Sequence, residues 1–98
     1  MDDSTNQVKH NVYFDGQVQS LGLKTEKGPA TLGVMKKGTY QFTPTTPETI
    51  IVISGVMNIK VGDGSPAKYQ AQEHIDLPPN ITFEVVCDAD AAYICYYE

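Results

Sequence analysis

The chain has 98 residues, 41% hydrophobic and 19% charged, with a net charge of -5 and seven basic residues that are all lysine. That length makes one domain burying roughly 65% of its unfolded surface. An acidic chain without arginine disfavours a nucleic-acid surface, which needs a basic face. The longest apolar run, Ile50-Ile51-Val52-Ile53, is far short of the roughly 20 residues of a membrane span, so no membrane partner is expected.

In chain order, residues 1–10 are polar and acidic with no h-region, which predicts a flexible tail, no secretory signal and a cytoplasmic location. The folded domain is expected over residues 11–98. Turn signals then recur: Asp15-Gly16 first, and from Gly28-Pro29 through Lys37-Gly38, Thr46-Pro47, Ser54-Gly55 and Gly64-Ser65 about every nine residues. Pro78-Pro79-Asn80 and Asp88-Ala89-Asp90 follow. Between them the spacing predicts nine strands: 18–23, 30–35, 38–42, 49–53, 58–61, 69–71, 74–77, 81–86 and 91–97. No window carries an apolar stripe at helical spacing, so helix content is expected near zero. Gly62-Asp63-Gly64 lacks a following Lys-Ser/Thr and a helix, and reads as a hairpin turn rather than a phosphate loop. Gly33 and Gly55 read as places of strand bending or close backbone approach. Cys87 and Cys95, eight residues apart in apolar segments, are expected as buried reduced thiols.

Nine short strands without a covering helix must protect their edges by closing or doubling over. An immunoglobulin-like sandwich would bring a central Trp and widely separated cysteines, and this chain has neither. The stretch from Glu48 to Gly55, a Glu followed by six residues and a Gly, resembles half of a cupin first motif. The two histidines that the motif places four to seven residues earlier are replaced by Gln41, Phe42, Thr43 and Pro44, and a third histidine by Phe83. The predicted fold is therefore all-β, a single-domain cupin (jelly-roll-like) β-barrel, with no metal and no cofactor.

Tyr13-Phe14-Asp15-Gly16 through Gly22, Leu32-Gly33-Val34-Met35, Gly38 through Phe42, Val52-Ile53-Ser54-Gly55 and Tyr93 through Tyr97 together resemble one family. It is the small bacterial cupins of the pyrimidine/purine nucleoside phosphorylase type. The resemblance covers Asn11 to Tyr97. It implies reversible phosphorolysis with broad base tolerance: phosphate, as co-substrate, displaces the base and leaves ribose 1-phosphate. It also implies a metal-free site. Relatives often carry a basic residue where this chain has Tyr96, so phosphate here would fall to lysines or backbone amides.

Glu48 is the first catalytic candidate, because a carboxylate inside the cupin frame, with no metal to bind, suits an oxocarbenium-like state. Tyr40 is the second, since a buried hydroxyl needs a partner. Phe42 and Phe83, expected in the interior beside Tyr40, offer stacking faces for a base of either type. Tyr93 and Cys95 share one face of the last strand and complete the expected substrate-binding set. Tyr96 and Tyr97 are expected at an oligomer contact, within a homodimer inferred by analogy. His74 and His10 are expected on the surface and in the tail. A non-catalytic cupin binding a sugar or nucleotide stands as the alternative function.

Overall fold

The computed structural model describes residues 7–98, and residues 1–6 of the expected tail lie outside that range. The ten strands are β1 (His10–Tyr13), β2 (Val18–Thr25), β3 (Gly28–Met35), β4 (Gly38–Phe42), β5 (Glu48–Ser54), β6 (Met57–Val61), β7 (Ala67–Tyr69), β8 (His74–Leu77), β9 (Phe83–Cys87) and β10 (Ala91–Tyr97). One 3-10 turn, Phe14–Gly16, joins β1 to β2. No helix among the described residues is long and apolar enough to cross a membrane.

The expected strands are present, and β4, β8 and β10 have the anticipated bounds. Three details differ. A strand not anticipated, β1, pairs His10 through Tyr13 with Leu21 through Val18, which puts His10 in the sheet. Residues 70–73 form a turn instead of extending a strand: Glu73 N–H donates to Gln70 O at 3.0 Å and the Glu73 carboxylate accepts from Gln70 N–H at 2.7 Å. Finally, the strands do not close into a barrel. They form a six-stranded sheet, β1-β2-β3-β10-β5-β8, and a four-stranded sheet, β4-β9-β6-β7, so the fold is protected by doubling over. All pairs are antiparallel.

The core lies between the two sheets, where Val18, Met35, Ile50 and Val52 of the larger meet Met57, Ile59, Val85 and Phe83 of the smaller. Each side chain of this size removed from water contributes about 1.5–3 kcal/mol. Strand alternation decides the set: Thr31, Gly33 and Met35 of β3 point inward, while Leu32 and Val34 remain exposed. Cys87 and Cys95 are buried and unpaired, as expected. Gly64 N–H donates to Val61 O at 2.9 Å, giving the expected hairpin turn between β6 and β7. At the far end, Asp90 accepts from Lys36 Nζ and from Lys37 N–H, each at 2.9 Å, which ties the β3–β4 turn to the β9–β10 turn. The Lys36 bond, and secondarily the Lys37 amide, hold the Asp90 carboxyl below its ordinary range.

Gly33 faces Tyr93 in the β3–β10 register, and the Tyr93 ring lies where a Gly33 side chain would stand. Gly33→Ala should therefore displace that ring toward the interior. The expected outcome is a destabilisation of about 1–3 kcal/mol, the usual range for overpacking, read as a lower denaturation midpoint at an unchanged m-value.

Candidate active site

A cavity of about 210 Å³ opens between the sheets. Its walls follow from register. On the larger sheet Ser20 pairs with Gly33, Gly33 with Tyr93, and Tyr93 with Val52. The next inward positions of β10 and β5 bring Cys95 beside Ile50 and Tyr97 beside Glu48. On the smaller sheet Phe42 pairs with Phe83, and their rings stack with centroids 5.4 Å apart at 25°.

Glu48, Phe42, Phe83, Tyr93 and Cys95 all border this cavity, so five of the six sequence-derived candidates converge. Tyr40 does not border it. Its hydroxyl donates to Lys36 O at 2.7 Å, and the ring is buried beneath Phe14, 5.1 Å between centroids. Tyr40 and Phe42 share a strand face, but two residues along β4 move Tyr40 away from the carboxylate and spend its hydroxyl on the backbone. His74 is exposed on β8, opposite Ile51. His10 is exposed in β1, with Nε2 2.9 Å from Gln19 Oε1.

Among the described residues, Glu48 is the only formally charged one lining the cavity. Partial burial pushes its carboxyl above the ordinary value, opposed by the Cys95 thiol, which donates to Glu48 Oε1 at 3.4 Å. Burial likewise pushes the Tyr93 and Tyr97 hydroxyls and the Cys95 thiol up, the nearby Glu48 charge adding to each. These groups stay protonated at neutral pH and serve as hydrogen-bond donors. Tyr97 was expected at an oligomer contact. The structure instead turns it inward, where its hydroxyl meets Thr31 Oγ1 at 2.9 Å. Period-two alternation from Tyr93 through Cys95 was the signal that places Tyr97 on this face. Tyr13 and Ser20 also border the cavity, and neither stood out among the candidate residues. Ser20 is buried and accepts from Asn11 Nδ2 at 3.1 Å.

The floor is apolar, made by Met35, Met57 and Val85. No lysine borders the cavity. Lys27, at the β2–β3 turn, lies over the Tyr96 ring, 5.5 Å from its centroid. Among the described residues no three His, Cys, Asp or Glu side chains are grouped as a metal site would require. The arrangement offers one carboxyl group, several neutral hydroxyl donors and aromatic walls. That set suits a neutral, polyhydroxylated ligand carrying a flat ring.

Comparison with known proteins agrees with the resemblance in the sequence. A pyrimidine/purine nucleoside phosphorylase of Magnetococcus marinus is 40% identical over 91 residues, covering 92% of this chain and 98% of its own. A Vibrio parahaemolyticus protein of unknown function superposes with a TM-score of 0.88 at 33% identity, over 94% of this chain and 99% of the other. An RmlC-like cupin from Shewanella frigidimarina, 18% identical, superposes with a TM-score of 0.71 over 91% and 81% of the two chains, which shows the cupin fold. Residues 8–97 match the family described as pyrimidine/purine nucleoside phosphorylase, and the chain belongs to that family.

Proposed function

We propose that this protein is a broad-specificity nucleoside phosphorylase, a pentosyltransferase that uses phosphate to cleave purine and pyrimidine nucleosides reversibly into free base and ribose 1-phosphate. The observation that carries the reading is a single half-buried carboxyl, Glu48, in a cavity walled by aromatic rings and hydroxyls, within a chain of that family. As the bond from ribose to base lengthens, positive charge develops on the sugar. The ionised Glu48, held by Cys95, stabilises that charge from a half-buried position. The hydroxyls of Tyr93 and Tyr97 are positioned to donate to the ribose or to the incoming phosphate.

With no lysine on the cavity wall, phosphate is held here by hydroxyl groups and main-chain N–H groups. The reaction requires no metal or organic cofactor, because neutral donors and Glu48 supply the polar contacts. Tyr40 acts on this reading as a support for the β3–β4 turn. The lack of a wall cation favours one second reading, a cupin that binds a sugar or nucleotide without turning it over. Incubation with uridine or adenosine, with and without phosphate, separates the two. Phosphate-dependent release of free base is expected, and nucleoside binding without release would establish the second reading.

The outward face of the larger sheet supports a homodimer. Leu21, Leu32, Ile94 and Ile51 lie side by side across four strands, and Leu21 and Leu32 are 50% and 43% exposed. Val34 and Ile53 flank this row around a hollow of about 560 Å³. A second copy of the same face would cover it, which is how two-fold interfaces close.

Glu48→Gln, in protein that melts at the wild-type temperature, should lower turnover on the order of 100- to 1000-fold, the usual loss for one preorganised electrostatic group. His74→Ala should leave turnover near wild type. The reverse order would move chemistry out of the cavity. Prolonged chelation should leave the rate of base release unchanged, and a loss restored by one particular metal would overturn metal independence. Sedimentation should give a dimer for the wild-type chain, and Leu32→Glu should shift it toward monomer.

A further inference from the structure

The turn from β1 to β2 carries three consecutive residues at positive φ: Phe14 at 52°, Asp15 at 54° and Gly16 at 88°. Only glycine adopts this region without penalty, and a bulky aromatic there is an outlier that needs an explanation. The packing around it supplies one. Phe14 rests edge-on against Phe42, 5.4 Å between centroids at 86°, and tilted over Tyr40 at 5.1 Å, with its outer side exposed. Immediately before it, Tyr13 has ordinary extended backbone, pairs with Val18 and borders the cavity. Its ring meets Phe42 edge-on at 6.4 Å and 86°. It remains 45% exposed.

The other wall rings are less open: Tyr93 is buried, and Phe42 and Tyr97 are partly buried. Phe42 stacks on Phe83 and receives Phe14 and Tyr13 at its edge, while Phe83 is almost fully buried. Tyr13 is thus the cavity-lining aromatic with most surface open to a ligand. A cavity of about 210 Å³ is also below the roughly 300–1,000 Å³ of sites that enclose a drug-sized ligand. A nucleoside with phosphate cannot fit wholly inside, so one of its rings stays at the mouth.

We propose that Tyr13 is the platform on which the nucleobase stacks at the cavity mouth, and that the left-handed turn anchored by Phe14 positions it there. The proposal rests on the nucleoside phosphorylase reading for the identity of the ligand. With its ribose beside Glu48 and Tyr97, the substrate projects its base outward onto Tyr13. Stacking uses the π-face that purines and pyrimidines share and leaves ring edges unread, so it admits both classes.

The chain contains no tryptophan, so Tyr13→Trp installs a single fluorescent reporter at the mouth. Its emission, excited on the red edge of the indole band, should change saturably with adenosine, uridine or free adenine. Ribose or inorganic phosphate alone should leave it unchanged. In steady-state assays Tyr13→Ala should raise KM for uridine and adenosine alike on the order of 10-fold, the loss falling on KM rather than kcat. Tyr13→Phe should restore KM, because the ring and not the hydroxyl is required. Phe14→Gly tolerates the left-handed backbone but removes the anchor. It should raise KM as Tyr13→Ala does while the melting temperature confirms folding. If the reporter ignores a nucleoside that the same variant cleaves, or if Tyr13→Ala keeps the wild-type KM, the platform assignment is overturned and the phosphorylase reading stands. A saturable response to adenine in a protein that releases no base retains the platform and removes the phosphorylase reading. No response together with no base release overturns both.

Discussion

The site depends on one strand being hydrogen-bonded along both edges. β10 lies between β3 and β5 in the larger sheet, and strand alternation then sends Ala91, Tyr93, Cys95 and Tyr97 inward and Ala92, Ile94 and Tyr96 outward. Fixing the register against β3 places Tyr93 over Gly33. Fixing it against β5 places Cys95 and Tyr97 around Glu48. A slip of one residue would exchange every inward group for an outward one. The register is irregular between Ala92 and Tyr93, where β5 passes from Ser54 to Val52. Ile53 is the extra residue there, and such a bulge lets both Val52 and Tyr93 stay on the core side while Ile53 remains outside.

Most of the fold was legible because the signals that define it are local. Short β-branched runs and turn residues at even spacing mark strands wherever they fall in space, hence the agreement at β4, β8 and β10. What failed was non-local or polar. β1 was missed because its inward residues are Asn11, satisfied by Ser20 across the ladder, and the half-exposed Tyr13, with no fully buried apolar residue. The turn at residues 70–73 was missed because a Glu73 side-chain bond and Gln72 at φ 73° hold it together, without Gly or Pro. Closure was also beyond reach. A barrel and two facing sheets share the same alternation, and only the pairing of distant strands tells them apart. The same distinction explains the site residues. Motif position and alternation suffice to place Glu48, Phe42, Phe83, Tyr93 and Cys95 on the cavity wall. Tyr40 has the right face but lies too far along β4, a matter of position that alternation does not encode.

The electrostatics of the cavity constrain its ligand more than its shape does. Among the described residues Glu48 is its single formal charge, in a protein of net charge -5, and no lysine stands on the wall to balance it. A permanently ionised carboxylate in this setting would repel an approaching phosphate. Burial raises the affinity of Glu48 for a proton, and the Cys95 thiol bond opposes it. The same group, once ionised, suits the positive charge that forms on the sugar.

The two faces of the larger sheet are joined through the same strands. Ile94 of the outward apolar row is the residue between Tyr93 and Cys95, and Ile51 lies between Ile50 and Val52 of the core. Leu32 precedes Gly33, which gives the Tyr93 ring its room. Any contact that holds the outward row also holds the backbone from which the cavity-lining side chains project. Covering that face would therefore restrict fluctuations of β3, β5 and β10 together, at the positions where a small displacement of Tyr93 or Glu48 would matter most to the geometry of the reacting groups.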